Sequence, residues 1–146
     1  MAAIVTLTMN PALDIATSTD RVVPAHKLRC AMPRYDPGGG GINVARAVHA
    51  LGGEALAIFP EGGAAGEMIR HLLHEEGVSY DAIAIAGFTR ESLAVEERAS
   101  GNQFRFILPG PEISERPAPL SRPAGAAGGR CELHRRQRQS AARGAR

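Results

Sequence analysis

Three short apolar runs, separated by two stretches of helical periodicity, dominate the first part of the chain. The apolar runs, rich in aliphatic and β-branched residues, lie at 4–9, 55–59 and 80–86. The helical stretches lie at 41–51 and 64–76. Apolar runs of this length predict buried strands, so the order is strand, helix, strand, helix, strand. This alternation predicts an α/β fold with a largely parallel sheet and right-handed crossovers.

The first helical stretch is almost wholly apolar. Its polar side chains, Asn43, Arg46 and His49, are three residues apart and fall on one narrow face. We therefore expect this helix to be mostly buried.

The second helical stretch is amphipathic. Its apolar stripe consists of Met68, Ile69, Leu72 and Leu73. His71, His74 and Glu75 share one turn and could in principle bind a metal ion. We interpret them as a solvated helix face, because no further ligand cluster accompanies them in the sequence.

The remaining segments have mixed polarity. Residues 21–35 predict short exposed strands. Residues 92–98 and 103–108 alternate in polarity on either side of Ser100-Gly101-Asn102, which predicts a β-hairpin.

Composition and charge divide the chain near residue 115. The length of 146 residues and a hydrophobic content of 44% suit one domain, with an aliphatic core because only 4% of residues are aromatic. Residues 1–114 carry nine basic and thirteen acidic side chains, a net charge of −4. Residues 115–146 carry eight Arg and two Glu, a net charge of +6.

The cysteines and hydropathy predict a cytoplasmic protein. Cys30 and Cys131 form no paired motif, which argues against a disulfide framework or a zinc site and fits a reducing compartment. The sequence has neither an apolar run of membrane-spanning length nor the basic start of a signal peptide.

Four consecutive glycines, Gly38, Gly39, Gly40 and Gly41, open directly into the first helical stretch. Unpaired N–H groups and the positive end of the helix dipole suit an anionic or hydroxyl-rich ligand there. Glycine runs also occur in flexible linkers, but a linker is normally flanked by polar residues. We therefore favour a binding loop.

Several polar residues could contribute to a site, and each has a simpler explanation. Asp14 follows the first strand, at the edge where α/β sheets bind ligands, or it stabilises a turn. Asn43 contacts a ligand or caps the helix. Lys27, the only lysine, is a functional point charge or a compositional accident, and Arg90 and Arg105 taken singly are surface residues.

The motifs together resemble the N-terminal half of PfkB-type sugar kinases of the ribokinase family. The resemblance extends from about residue 3 to about residue 113. It rests on three stretches: Thr6 to Asp14, Pro37 to Ala47, and Ala57 to Pro60 with Gly62-Gly63 and Gly66-Glu67. Glycine at position 40 favours the 6-phosphofructokinase branch, because the similar 1-phosphofructokinases and tagatose-6-phosphate kinases usually have lysine there.

This resemblance implies a ribokinase-like fold, which is a Rossmann-like three-layer α/β/α arrangement around a mostly parallel sheet. A small β-lid, at about 21–35 and 92–108, would pair across a homodimer. The resemblance assigns sugar hydroxyls to Asp14, close backbone approach to Gly38 through Gly41, and a further contact to Asn43. It assigns the sugar phosphate to Lys27, Arg90 and Arg105.

The family reaction, ATP-dependent phosphorylation of fructose 6-phosphate to fructose 1,6-bisphosphate in glycolysis, needs groups that the sequence does not contain. Neither the family's Gly-x-Gly-Asp segment, which supplies the catalytic Asp and the nucleotide cradle, nor its Asn-x-x-Glu segment for Mg²⁺ occurs. A Walker-type loop does not occur either. We therefore expect a fragment with no catalytic or metal-binding residues and no turnover, or alternatively a non-catalytic sugar-phosphate-binding protein.

Residues 115–146 do not share the resemblance. Leu120 and Leu133 are their only large aliphatic residues, so we expect disorder. The cluster Arg135-Arg136-Gln137-Arg138 could belong to a basic nucleic-acid-binding arm. We favour out-of-frame translation of GC-rich DNA instead, because the charge reverses abruptly near Glu115. The expected division is therefore a kinase part, 1–114, and a tail, 115–146.

Overall fold

The computed structural model describes residues 4–113. The strands are β1 Ile4–Leu7, β2 Ala12–Thr19, β3 Arg34–Gly38, β4 Ala55–Glu61, β5 Ser79–Ala84, β6 Arg90–Glu97 and β7 Gln103–Ile107. The helices are α1 Gly40–Ala50 and α2 Gly63–Glu75. The predictions for the tail at 115–146, including disorder and nucleic-acid binding, lie outside the described residues.

The first sheet has the strand order β1-β4-β5, and all its pairs are parallel. This confirms the parallel α/β arrangement predicted from the alternating apolar runs and helices. Each strand ends within two residues of its predicted end: β1 and β5 stop before the end of the apolar run, and β4 continues past it to Glu61.

One face of the first sheet packs against both helices. Ala57 and Phe59 of β4 are fully buried there, between Ile42 of α1 and Ile69 and Leu73 of α2. Complete burial of a Phe, Ile or Leu side chain stabilises the fold by about 1.5–3 kcal/mol.

The expectation that α1 is mostly buried is wrong. Only Ile42 and Ala45 are buried, whereas Val44 is 49% exposed and Leu51, just beyond the helix, is 88% exposed. The helix packs on the sheet along one stripe, and the described residues supply no layer that covers its other side. The opposite face of the first sheet is likewise open, with Val5 and Leu7 exposed.

The second sheet is mixed and has the strand order β3-β2-β6-β7. Strand β2 pairs antiparallel with β3 and parallel with β6, and β6 pairs antiparallel with β7. The last pair confirms the predicted hairpin, whose turn contains Gly101 with a φ of 73°.

The prediction of short strands at 21–35 is wrong for most of that segment. Of the two alternatives for Asp14, the turn does not hold, because Asp14 belongs to β2, a strand that was not predicted. Residues 21–33 form no strand, and pairing begins only at Arg34. The pairing partners of β2 are distant in sequence, so its short alternation of Leu13, Ile15 and Thr17 was a weak local signal.

Neither α1 nor α2 has the length and apolar character that a membrane crossing requires; this holds for residues 4–113.

Candidate functional site

The register of the second sheet aligns polar residues from four strands on one face. Asp14 pairs directly with Asp36 on one side and with Ser92 on the other. Two residues further along, a parallel row contains Arg34 of β3 and Arg105 of β7. Directly paired residues point to the same face. These five side chains line one shallow cavity of about 310 Å³.

Asp14 lies against the start of the glycine loop. A Cβ atom at Gly38 would lie only 2.2 Å from Asp14 Oδ2. The loop and the acidic residue, which are separate motifs in the sequence, therefore form one surface. Without a side chain at Gly38, the Asp14 carboxylate can sit beside the loop backbone.

The loop changes direction at Gly39 and then becomes helix α1. Gly39 has a φ of 126°, which favours glycine, and it occupies the N-cap position. The carbonyl oxygen of Gly39 accepts the first helical hydrogen bond, from the N–H of Asn43, at 2.8 Å. Asn43 is exposed in the first turn of α1, and Gly40 has no neighbouring atom within 4 Å of its Cβ position. The start of α1 is therefore open on the side of Gly40.

Arg90 carries unused hydrogen-bonding capacity close to the loop. It is the first residue of β6 and pairs with Ala12, which in turn pairs with Gly38. Its Nε is buried without a partner among the described residues, and its Nη2 lies 3.5 Å from the carbonyl oxygen of Asn10. A guanidinium with free donors suits an anionic ligand.

Lys27 does not join this group. It is exposed in the irregular segment 21–33, and it is not among the residues that line the cavity. Of the predicted site residues, Asp14 and Arg105 line the cavity. Gly38 lies against Asp14, and Arg90 is next to Gly38 through Ala12. Asn43 lies further along, in the first turn of α1.

Asp36 belongs to an ion-pair network that sequence reasoning missed. Arg34 Nε lies 2.7 Å from its Oδ2, and Arg46 Nη2 lies 3.9 Å from its Oδ1. Arg46 also pairs with Glu76 through two contacts of 2.6 and 2.7 Å and donates to the carbonyl oxygen of Pro37. The hydrogen bond to Glu76 is the main reason why the pKa of Arg46 is raised.

This network fixes the end of β3 between α1 and the residue that follows α2. It also supplies positive charge beside two carboxylates, Asp14 and Asp36, that face each other across adjacent strands. Asp36 and Ser92 could have been found only from the register, because neither lies near Asp14 in the sequence.

Residues 4–113 contain no group of three or more His, Cys, Asp or Glu that could hold a metal ion. His71 instead pairs with Glu75 on the surface of α2, with Nε2 and Oε1 3.5 Å apart. The described residues thus offer groups for hydroxyls and for a phosphate.

Comparison with known proteins gives consistent matches. The model of the pfkB family of carbohydrate kinases matches residues 7–121. The ATP-dependent 6-phosphofructokinase isozyme 2 of Mycobacterium tuberculosis is 58% identical over 111 residues, which are 76% of this chain and 33% of that protein. A 1-phosphofructokinase of Xanthomonas campestris is 31% identical over 111 residues, 76% of this chain and 35% of that protein.

Solved structures of phosphofructokinases also match the chain. The crystal structure of phosphofructokinase-2 from Escherichia coli in complex with fructose-6-phosphate matches with a TM-score of 0.74 and 50% identity, covering 79% of this chain and 38% of that one. Another structure of that protein is a tetrameric inhibited form. The chain spans about a third of the length of the curated relatives that it matches. These matches confirm the predicted resemblance and the ribokinase-like α/β fold.

Proposed function

The chain belongs to the pfkB family of carbohydrate kinases, and from this premise we propose that it is the sugar-phosphate-binding part of an ATP-dependent phosphofructokinase. The enzyme as a whole would transfer the γ-phosphate of ATP to fructose 6-phosphate, giving fructose 1,6-bisphosphate in cytoplasmic glycolysis. The names of the relatives support this reaction, since they include ATP-dependent 6-phosphofructokinases.

One observation carries the proposal. Asp14 and Arg105 line the same cavity, and the Asp14 carboxylate lies against Gly38 at the entrance to the glycine loop. A sugar phosphate has hydroxyls that donate to a carboxylate and a phosphate that accepts from guanidinium groups. One acidic and one basic group that line the same shallow cavity therefore suit the two ends of such a ligand.

The other assignments follow the family resemblance. Backbone N–H groups of the glycine loop, Gly38 to Gly41, approach the sugar, and Asn43 adds a side-chain contact. Arg90 binds the phosphate together with Arg105 through its guanidinium, whose Nη2 has only a long contact of 3.5 Å with the carbonyl oxygen of Asn10. Lys27 would contribute only if the segment 21–33 moved or came from a second chain.

Phosphoryl transfer itself requires groups beyond these. ATP and Mg²⁺ would be bound by segments that do not occur in residues 1–146. We therefore propose that this chain alone binds sugar phosphate without turnover. Within it, we assign residues 1–114 to the kinase part and residues 115–146 to the tail.

We also propose that the second sheet is the lid and pairs with a second copy of the chain. The face opposite Asp14 carries the apolar row Tyr35, Ile15, Leu93 and Phe106. Tyr35 is 40% exposed and Phe106 is 54% exposed. Ile15 and Leu93 on the two central strands are half-buried, so the exposed apolar area lies on the two edge strands. Exposed apolar side chains of this kind are typical of a surface that is covered in an assembly.

Calorimetric titration with fructose 6-phosphate tests the proposed function. We expect the full chain to bind it, and Asp14→Asn to weaken binding by at least about tenfold, because a charge-assisted hydrogen bond contributes about 1.5–3 kcal/mol. The matched control is Asp81→Asn, an exposed acidic residue of β5 in the first sheet. Equal affinities of the two variants would refute the assignment of Asp14.

A coupled ADP-release assay separates the enzyme from the binding protein. We expect no ATP turnover from the chain alone. ATP turnover that Asp14→Asn abolishes would show that the chain is a complete kinase.

A further inference from the structure

Helix α1 begins without a capping side chain of its own. Its N-cap residue is Gly39, and the first backbone hydrogen bond within the helix comes from the N–H of Asn43. The N–H groups of Gly40, Gly41 and Ile42 therefore precede the helical hydrogen-bond pattern. Ser, Thr, Asp or Asn at the N-cap would normally accept one of them, and glycine cannot.

Thr8 supplies the missing oxygen from another element. Its Oγ1 accepts a hydrogen bond of 3.0 Å from the N–H of Ile42, and Ile42 is fully buried. Thr8 is only 6% exposed, and its own N–H donates to the carbonyl oxygen of Ile58 in β4 at 2.9 Å. The cap is thus fixed to the central strand of the first sheet.

Both branches of the Thr8 side chain fit against the glycine loop. A Cβ at Gly39 would lie 2.5 Å from Thr8 Cγ2, and a Cβ at Gly41 would lie 2.7 Å from Thr8 Oγ1. The methyl and hydroxyl groups occupy the space that side chains at these two positions would need. Glycine at positions 39 and 41 therefore allows Thr8 to lie directly under the loop.

We propose that Thr8 is a positioning residue for sugar-phosphate binding, an inference that rests on the proposed function. By holding the N–H of Ile42, Thr8 leaves the N–H groups of Gly40 and Gly41 for the ligand and fixes their direction. It acts through the loop, because its Oγ1 accepts the hydrogen bond from the N–H of Ile42.

The chain contains a matched control two residues earlier. Thr6 lies on the same strand side as Thr8 and is 9% exposed, but its Oγ1 is buried without a hydrogen-bond partner among the described residues. Thr6→Val and Thr8→Val make the same chemical change in neighbouring buried positions. Only the second removes a hydrogen bond.

The test uses the full chain with the substitutions Thr8→Val, Thr8→Ser and Thr6→Val. Amide hydrogen exchange of Ile42 and calorimetric titration with fructose 6-phosphate are measured for each. We expect Thr8→Val to accelerate exchange at Ile42 and to weaken binding, each by about fivefold or more, because a buried N–H loses its acceptor. Thr8→Ser should restore both to within about twofold of the parent chain, because the hydroxyl is retained. Thr6→Val should change neither.

Three results would overturn the proposal: unchanged Ile42 exchange in Thr8→Val, equal weakening of binding by Thr6→Val, or no recovery in Thr8→Ser. A parent chain that does not bind fructose 6-phosphate, but whose Ile42 exchange responds as expected, refutes the proposed function. In that case the hydrogen bond is real, and the inference about positioning fails with the function on which it rests.

Discussion

Gly38 and Gly40 of the glycine loop differ in how much space surrounds them. At Gly38 an added Cβ would lie 2.2 Å from Asp14 Oδ2 and 3.0 Å from the carbonyl oxygen of Ala12. At Gly40 it would meet nothing within 4 Å, and Gly40 is not among the glycines with positive φ. Glycine is therefore required at position 38 by packing, whereas the fold alone does not require it at position 40.

Substitution by alanine should therefore have different effects on the free energy of unfolding at Gly38 and at Gly40. We expect Gly38→Ala to lower the free energy of unfolding by about 1–3 kcal/mol, because the new methyl displaces Asp14 or the β2 backbone. Gly40→Ala should leave it unchanged or raise it by up to about 1 kcal/mol, since alanine is the better helix former. Urea unfolding of both variants measures the difference. Equal destabilisation would contradict the packing described for Gly38.

At this scale the sequence predicted part of the site. Asp14, the glycines and Asn43 lie within recognisable motifs, so they could be assigned in advance. Asp36 and Ser92 could not, because they meet Asp14 only through strand register. Lys27 was assigned from the resemblance, and the structure does not bring it to the cavity.

At the scale of elements, two glutamates at strand ends have opposite surroundings. Glu61 ends β4, with Oε1 3.4 Å from Arg70 Nη1 and Oε2 buried without a partner among the described residues. Burial raises the pKa of Glu61, although Arg70 partly opposes this. Glu97 ends β6 and accepts hydrogen bonds from the Ser100 hydroxyl and from the N–H of Val22, which lower the pKa of Glu97.

These shifts predict opposite pH dependence of stability. The contribution of Glu61 to the free energy of unfolding falls as pH rises from the pKa of Glu61 in the unfolded chain, ordinarily about 4.3, towards its higher pKa in the folded chain. The contribution of Glu97 is present above its unfolded pKa and is lost as pH falls through its lower folded pKa. Relative to the parent chain, Glu61→Gln should therefore gain stability as pH rises from about 3 to about 7, and Glu97→Gln should lose it. Thermal unfolding across this range checks both signs, and parallel curves would contradict the surroundings described for the two carboxylates.

Periodicity along the sequence predicted those helices and strands whose own residues show a clear apolar pattern. The first sheet, both helices and the hairpin follow from runs of apolar or alternating residues. Strands β2 and β3 were missed because their partners, not their own composition, define them. Pro37 and Gly38 end β3, and both are poor strand formers in isolation.

For the whole molecule, the proposed lid pairing makes a prediction about oligomeric state. Phe106 lies on the apolar face of the second sheet, whereas Phe88 is 78% exposed in the connection between β5 and β6. Phe106→Glu should shift the chain from dimer to monomer, because a charge on the covered face is costly to bury. Phe88→Glu introduces the same change away from that face and should leave the dimer intact. Light scattering after size-exclusion chromatography measures the mass, and dissociation by Phe88→Glu alone would place the interface elsewhere.

The parallel pairing of β2 with β6 has a consequence for the order of folding. Residues 12–19 meet 90–97, so the two central strands of the second sheet come from nearly opposite ends of the described chain. During synthesis, β2 emerges long before its neighbour, and only the antiparallel pairing with β3 can form early. Closing so long a loop is entropically costly and slow. The surface that carries Asp14 should thus be completed last, after the first sheet and its helices have already assembled.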